Sequence, residues 1–270
     1  MNSFPLHPGK YALQAIPDPA EHAAHVRAGH PTANLAGVNG VVLLYQTQLL
    51  EYARSRYDTR PCPGWVRGHL DLAEDDGGTF ALCGGFGLGA PAAALIVEQL
   101  AALGARRIIT AGTAATLQPH LLPGALVVCN HALRDEGLSH HYLPPARSVA
   151  PSPALTKRLT DALTRAGAPS SLGPTWTIDA PYRETATEVA GYGAEGVLTV
   201  DMEAAAVFAV GLHRSLDVAT VFAVADSLVE RRPHTQSQNI NTINALHTAL
   251  TAAVEALGAS ATSERDPAAH

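Results

Sequence analysis

Cysteine is scarce: Cys62, Cys83 and Cys129 are the only three in 270 residues, and none stands in a C-x-x-C spacing. An odd count without metal-ligand spacing argues against a disulfide framework or a zinc site, and it fits a reducing compartment, the cytoplasm. A positive charge excess is also lacking. Lys and Arg total 18 against 24 Asp and Glu, a formal net charge of -6, so no basic field invites nucleic acid or anionic lipid. No stretch is apolar for long enough to span a bilayer. The opening residues, MNSFPLHPGKYALQAIPDPAEH, lack the basic start and apolar run of a signal peptide. A mid-chain linker rich in Pro, Gly or Ser is missing too, which leaves one domain.

What is present is an ordinary globular composition, 47% hydrophobic and 16% charged. Residues 1–35 are rich in Pro, His and Ala with weak periodicity and read as an arm or a loose first helix. Residues 36–257 carry the patterned body, and 258–270 read as a disordered tail. In the body, short apolar runs alternate with amphipathic stretches. VVLLY (41–45), TFALCGG (79–85), ARRIITAG (105–112), ALVVCNHAL (125–133), PTWTID (174–179), GVLTVD (196–201) and VATVFAVAD (218–226) are expected strands. Helices are expected through LLEYARSRY, APAAALIVEQLAALG, 154–166, TATEVAGYG, MEAAAVFAVGLHRS and 238–257. Strands apolar on both faces and separated by helices predict an α/β domain with a mainly parallel, covered sheet. In such sheets ligands bind beyond the carboxyl ends of the strands. That rule selects Gly84–Gly89, Gly112–Thr116, Asp179–Glu184, Asp201–Glu203 and Asp226–Glu230.

Four of these segments can carry chemistry, and each has a plain structural alternative. GGFGLGAP (84–91) lets backbone approach a ligand at a helix start, or is a tight turn; its spacing is not a dinucleotide fingerprint. Gly112-Thr113 offers an N–H and a hydroxyl to an anion or a sugar, or is a turn. In VDMEAAAVFAV, Glu203 can accept from two adjacent ribose hydroxyls while Met202 packs on the sugar; alternatively both Asp201 and Glu203 simply suit a helix N-terminus. Asp226 ends a very apolar strand, where a carboxyl is raised and can donate a proton to a departing base, or it caps a helix with Ser227.

Together, GGFGLGAP, VEQLAALGARRIITAGTAATLQPHLLPGALVV, RDEGLSHHYLPP, VDMEAAAVFAVG and AVADS resemble, in order and spacing, the nucleoside phosphorylase family. That family includes the hexameric purine nucleoside phosphorylases, uridine phosphorylase and methylthioadenosine nucleosidase. The likeness runs from about His30 to about Leu257. It implies a single-domain, three-layer α/β fold with a central mixed, mostly parallel sheet flanked by helices. It also implies cleavage of a nucleoside's N-glycosidic bond, most simply by phosphorolysis, with phosphate as co-substrate and no cofactor or metal. By the same resemblance Asp226 is the base donor, although Ala225 replaces the usual serine, and Glu203 with Met202 holds the ribose. Tyr182 stacks on the base, Arg183 reaches base or phosphate, and Gly85 lies in the glycine loop. His30, with His7 as second choice, and Arg67 serve a neighbouring subunit, which implies a homo-oligomer, a dimer or a hexamer. Gly112, Thr113 and Arg67 would contact phosphate.

Two features depart from the family. Its phosphate loop, Gly-Asp-Pro-x-x-Arg after the first strand, reads here YQTQLLE (45–51), and a second arginine is replaced by Thr110. Each missing charged hydrogen bond would cost about 1.5–3 kcal/mol. Arg183, Arg134 and Arg231 are possible substitutes, each with a surface role as its alternative. Hydrolysis by water and nucleoside binding without catalysis therefore stand beside phosphorolysis, and the base, purine or pyrimidine, stays open.

Overall fold

Val41–Leu44 form strand β1, in which all four residues are buried. A strand with no solvated face needs partners on both edges and cover on both sides, and β1 has both. It lies parallel to β4 (Gly78–Gly84) on one edge and to β5 (Arg107–Thr116) on the other. In the computed structural model, which describes residues 6–230 and 235–258, this trio extends outward through β3 (His69–Asp75) and β2 (Asp58–Pro61), both antiparallel.

On the other side of β5 the sheet closes on itself. β5 pairs in parallel with β10 (Asp217–Ser227), and β10 pairs antiparallel with β6 (Leu126–Asp135). β6 pairs in parallel with β8 (Ser170–Ile178) and antiparallel with the short β7 (Ser148–Val149). β8 leads in parallel to β9 (Thr199–Asp201), which returns antiparallel to β5. The sheet is thus mixed. The closure depends on pairings between distant segments.

Helices cover both faces. α1 (Pro19–Gly29), α3 (Ala90–Ala102) and α6 (Ala204–His213) share one buried cluster with β1, including Ile96, Leu100 and Phe208. α2 (Thr47–Arg56), α4 (Pro153–Arg165) and α7 (Gln236–Gly258) share the other, with Leu50, Leu159 and Leu250. α5 (Ala186–Ala194) lies beside a smaller cluster around Trp176. The single α/β domain of three layers expected from the sequence is present. Within the first 35 residues α1 is docked, since Ala23 and Val26 are buried and Arg27 donates to the Ala102 carbonyl at 3.2 Å. The helix begins where the Asp18 side chain accepts from the Ala20 N–H. At the other end α7 runs to Gly258, and the expected tail from 259 lies outside the described residues. Among the described residues no helix is long and apolar enough to cross a membrane.

Candidate active site

The carboxyl ends of β1, β5, β8, β9 and β10 surround a cavity of about 390 Å³. Its lining includes Asp226, Glu203, Met202, Thr113 and Tyr182, so the two acids singled out in the sequence share one space. Asp226 arrives there through a bulge. The β5–β10 register shifts between Val224 and Asp226, which lets the consecutive Ala225 and Asp226 both face the cavity. In a regular strand they would face opposite sides. The Ser227 N–H donates to Asp226 Oδ1 at 2.7 Å. Among the described residues Asp226 does not cap a helix: the next described one, α7, starts at Gln236. Nor is it enclosed by the apolar strand, being only half-buried.

Asp201 and Glu203 divide two tasks that the sequence left mixed. Asp201 anchors the start of α6: its Oδ2 accepts from the backbone N–H groups of Glu203 at 2.8 Å and Ala204 at 2.6 Å. Its Oδ1 accepts from the Thr175 and Thr177 hydroxyls at 3.1 and 2.8 Å. Burial raises its carboxyl above the ordinary value, and these hydrogen bonds oppose the rise. Glu203 is left to the cavity. It is buried, and its Oε1 accepts from the Gly89 N–H at 2.7 Å. Burial first, then the charge of Asp201, pushes the Glu203 carboxyl up to about 7 against the Gly89 hydrogen bond. Gly89 holds φ 90 and ψ 165, a conformation open essentially to glycine alone.

At the end of β1, Tyr45 and Gln46 occupy the place of the family's phosphate loop. The Tyr45 ring lies over Gly112, where an added Cβ would come within 2.7 Å of Cδ2. Gly112 is therefore glycine because the ring needs its space. Burial raises the Tyr45 phenol well above its usual range, with Glu203 and Asp201 adding to the effect. Gln46 Nε2 donates to Thr113 Oγ1 at 2.9 Å, and Thr110 is hydrogen-bonded to Thr220, hydroxyl to hydroxyl, at 2.8 Å. Among the described residues that line the cavity, none is Lys, Arg or His.

The remaining candidates lie elsewhere. Arg183 sits in a 3-10 turn, Pro181–Arg183, exposed and off the cavity, whereas Tyr182 and Glu184 on either side line it. Arg134 does not replace a missing phosphate ligand. It is buried, donating to the Ser139 hydroxyl at 2.8 Å and to the Pro144 carbonyl at 2.7 Å, so it fastens the 138–144 loop. Arg231 lies outside the described residues. Gly85 is in the left-handed region (φ 70) but does not line the cavity; Gly89 is the glycine of that loop that contacts Glu203. His30 and Arg67 are exposed and do not line their own chain's cavity. His30 packs on the loop that carries Arg67, with its Cδ2 2.5 Å from a Cβ built on Gly64. His7 is exposed, and its ring Nδ1 is 2.9 Å from the Pro8 carbonyl oxygen. Sequence reasoning had Gly89 and Glu184 inside its strand-end segments but gave neither a role, and it left the helix-start role of Asp201 as one of two alternatives. The first was one glycine among several, and the second depended on the phase of a short turn.

Residues 67–259 match the family model described as Phosphorylase superfamily. The chain is 30% identical over 157 residues to guanosine phosphorylase of Halorubrum lacusprofundi, covering 58% of this chain and 65% of that protein. To uridine phosphorylase of Salmonella typhimurium it is 34% identical over 110 residues, 41% of this chain and 43% of that one. Both curated relatives are thus matched over less than two thirds of their length. The crystal structure of Vibrio fischeri uridine phosphorylase in complex with 6-hydroxy-1-naphthoic acid superposes with a TM-score of 0.74 at 26% identity, covering 82% of this chain and 92% of that one. The chain belongs to the phosphorylase superfamily.

Proposed function

We propose that the protein cleaves the N-glycosidic bond of a nucleoside by phosphorolysis, releasing the free base and a pentose 1-phosphate. The observation that carries this reading is the shared cavity of Asp226 and Glu203 in a chain of this family. Ionised Glu203, held by Gly89, accepts from the ribose hydroxyls, and Met202 packs against the sugar. As the bond from C1′ to the base lengthens, the sugar gains positive charge and the base negative charge. Asp226 gives its proton to a ring nitrogen of the leaving base, and a phosphate oxygen forms the new bond to C1′ from the opposite face. Groups already oriented toward developing charge are usually the largest catalytic contribution.

A carboxylic acid as donor favours a purine, and Tyr182 at the mouth offers a ring to stack on it. The relatives include both guanosine phosphorylase and uridine phosphorylase, so the purine choice rests on Asp226 and Tyr182. Thr113 would donate to phosphate. By the family resemblance the working enzyme is a homo-oligomer in which Arg67 brings a cation, and His30 a sugar contact, to the site of a second copy. The three cysteines are unpaired and buried, which suits a reducing, cytoplasmic setting.

The test is base release from a panel of purine and pyrimidine nucleosides with and without phosphate or arsenate. Release that requires the anion is expected. Equal release in phosphate-free buffer would show a hydrolase, and binding without release a nucleoside-binding protein.

A further inference from the structure

Gln46 holds the N-cap position of α2, yet its side chain makes no capping hydrogen bond. It reaches instead across 67 residues of chain to β5, where its Nε2 donates to Thr113 Oγ1 at 2.9 Å. Its Oε1 is buried with no hydrogen-bond partner among the described residues. Turned over, the amide would bury two unpartnered N–H donors there in place of one acceptor, so the NH2 belongs on Thr113. Thr113 itself has little freedom. Its backbone is in register with Ala223 of β10, and a β-branched side chain is restricted at χ1. What the strand leaves unfixed is the hydroxyl hydrogen.

We infer that Gln46 is a positioning residue that commits the Thr113 hydroxyl to donate to phosphate. This rests on the cavity binding phosphate as proposed above. A threonine hydroxyl has one hydrogen and two acceptor positions. With one acceptor position taken by Gln46 Nε2, the hydrogen points away from the amide. Both residues line the cavity, and no Lys, Arg or His among the described residues does. An anion held there by this chain therefore depends on hydroxyl donors set in the right sense, and a donor to a charged acceptor counts for about twice a neutral one. Gln46 acts through Thr113 and not on the anion itself, so the two side chains form one unit.

The test is a double-mutant cycle of Gln46→Met and Thr113→Val, with Gln46→Glu as a third variant and thermal melts to verify folding. Calorimetric titration with inorganic phosphate, and separately with guanosine, gives the affinities; base-release kinetics give the phosphate KM against kcat. Thr113→Val should weaken phosphate roughly ten-fold or more, and Gln46→Met roughly three- to ten-fold. The double variant should match Thr113→Val alone within about two-fold, because Gln46 then has nothing to orient. Gln46→Glu, whose carboxylate would take the Thr113 hydrogen, should weaken phosphate more than Gln46→Met. Guanosine affinity should stay within about two-fold throughout, and phosphate KM should rise more than kcat falls. Losses that multiply in the double variant, phosphate affinity unchanged in any single variant, or guanosine affinity falling in step would each overturn the inference. Anion-dependent base release with a multiplying cycle would sink this inference alone. The expected cycle in phosphate binding without anion-dependent release would sink phosphorolysis alone, and no phosphate binding by the wild type would sink both.

Discussion

Gly89 and Glu203 stand 114 residues apart in the chain and meet in one 2.7 Å hydrogen bond, the backbone N–H of the first donating to the carboxylate of the second. The β4–α3 turn thereby aims the acid that would hold the sugar. A side chain at 89 would force φ 90 into a region costing about 1–3 kcal/mol and move the N–H. Gly89→Ala should lower Tm modestly and raise the nucleoside KM roughly ten-fold, with kcat less affected. Steady-state kinetics beside a thermal melt separate the two effects.

Glu203 links stability to pH. Its carboxyl rises from 4.5 to about 7 in the folded chain. Below the lower value it is protonated in both states. Between the two, the unfolded chain loses the proton first, so folded-state stability falls as pH rises, and the full cost is present above about 7. Glu203→Gln removes this charge and keeps an oxygen for Gly89. The unliganded variant should gain little at pH 5 and on the order of 2–3 kcal/mol at pH 8, measured by denaturant unfolding, while losing nucleoside affinity. In wild type, nucleoside KM should fall as pH rises toward 7 and level off above it.

Asp226→Asn should leave the melt near wild type, because Asn also accepts from the Ser227 N–H. It should lower base release by roughly 10²–10⁴-fold, the range for a positioned proton donor. Unchanged turnover in a folded variant would remove Asp226 from the chemistry.

Arg134 supplies the opposite pattern. Because its guanidinium fastens the 138–144 loop, Arg134→Ala should destabilise by about 1–3 kcal/mol through the carbonyls and hydroxyl left behind. The phosphate KM of the folded fraction should not move, whereas a large increase would place the side chain in the anion site after all.

The fold was legible where burial is two-sided. Val41–Leu44 and the apolar part of β10 announce themselves as strands because no polar face interrupts them. β3 was not legible: its HLDLAED mixes buried Asp71 with core residues, and that acid is tolerated because Arg54 Nε donates to it at 2.7 Å from α2. Closure through β9 rests on two register pairs with β5, far too little to leave a local pattern. In the site, Glu203 and Asp226 were readable as acids at strand ends. That Asp201 serves the helix start and Glu203 the cavity was not, since both suit an N-terminus. The bulge that turns Asp226 inward is likewise a property of two paired strands and of neither alone.

The central claim is that phosphate, with Asp226 and Glu203 on one cavity, takes the sugar from the base. Phosphorus-31 NMR of the protein with guanosine and inorganic phosphate measures this directly. A sugar 1-phosphate resonance growing in step with free guanine is the expected result. Free guanine appearing with ribose and no phosphate ester would contradict it.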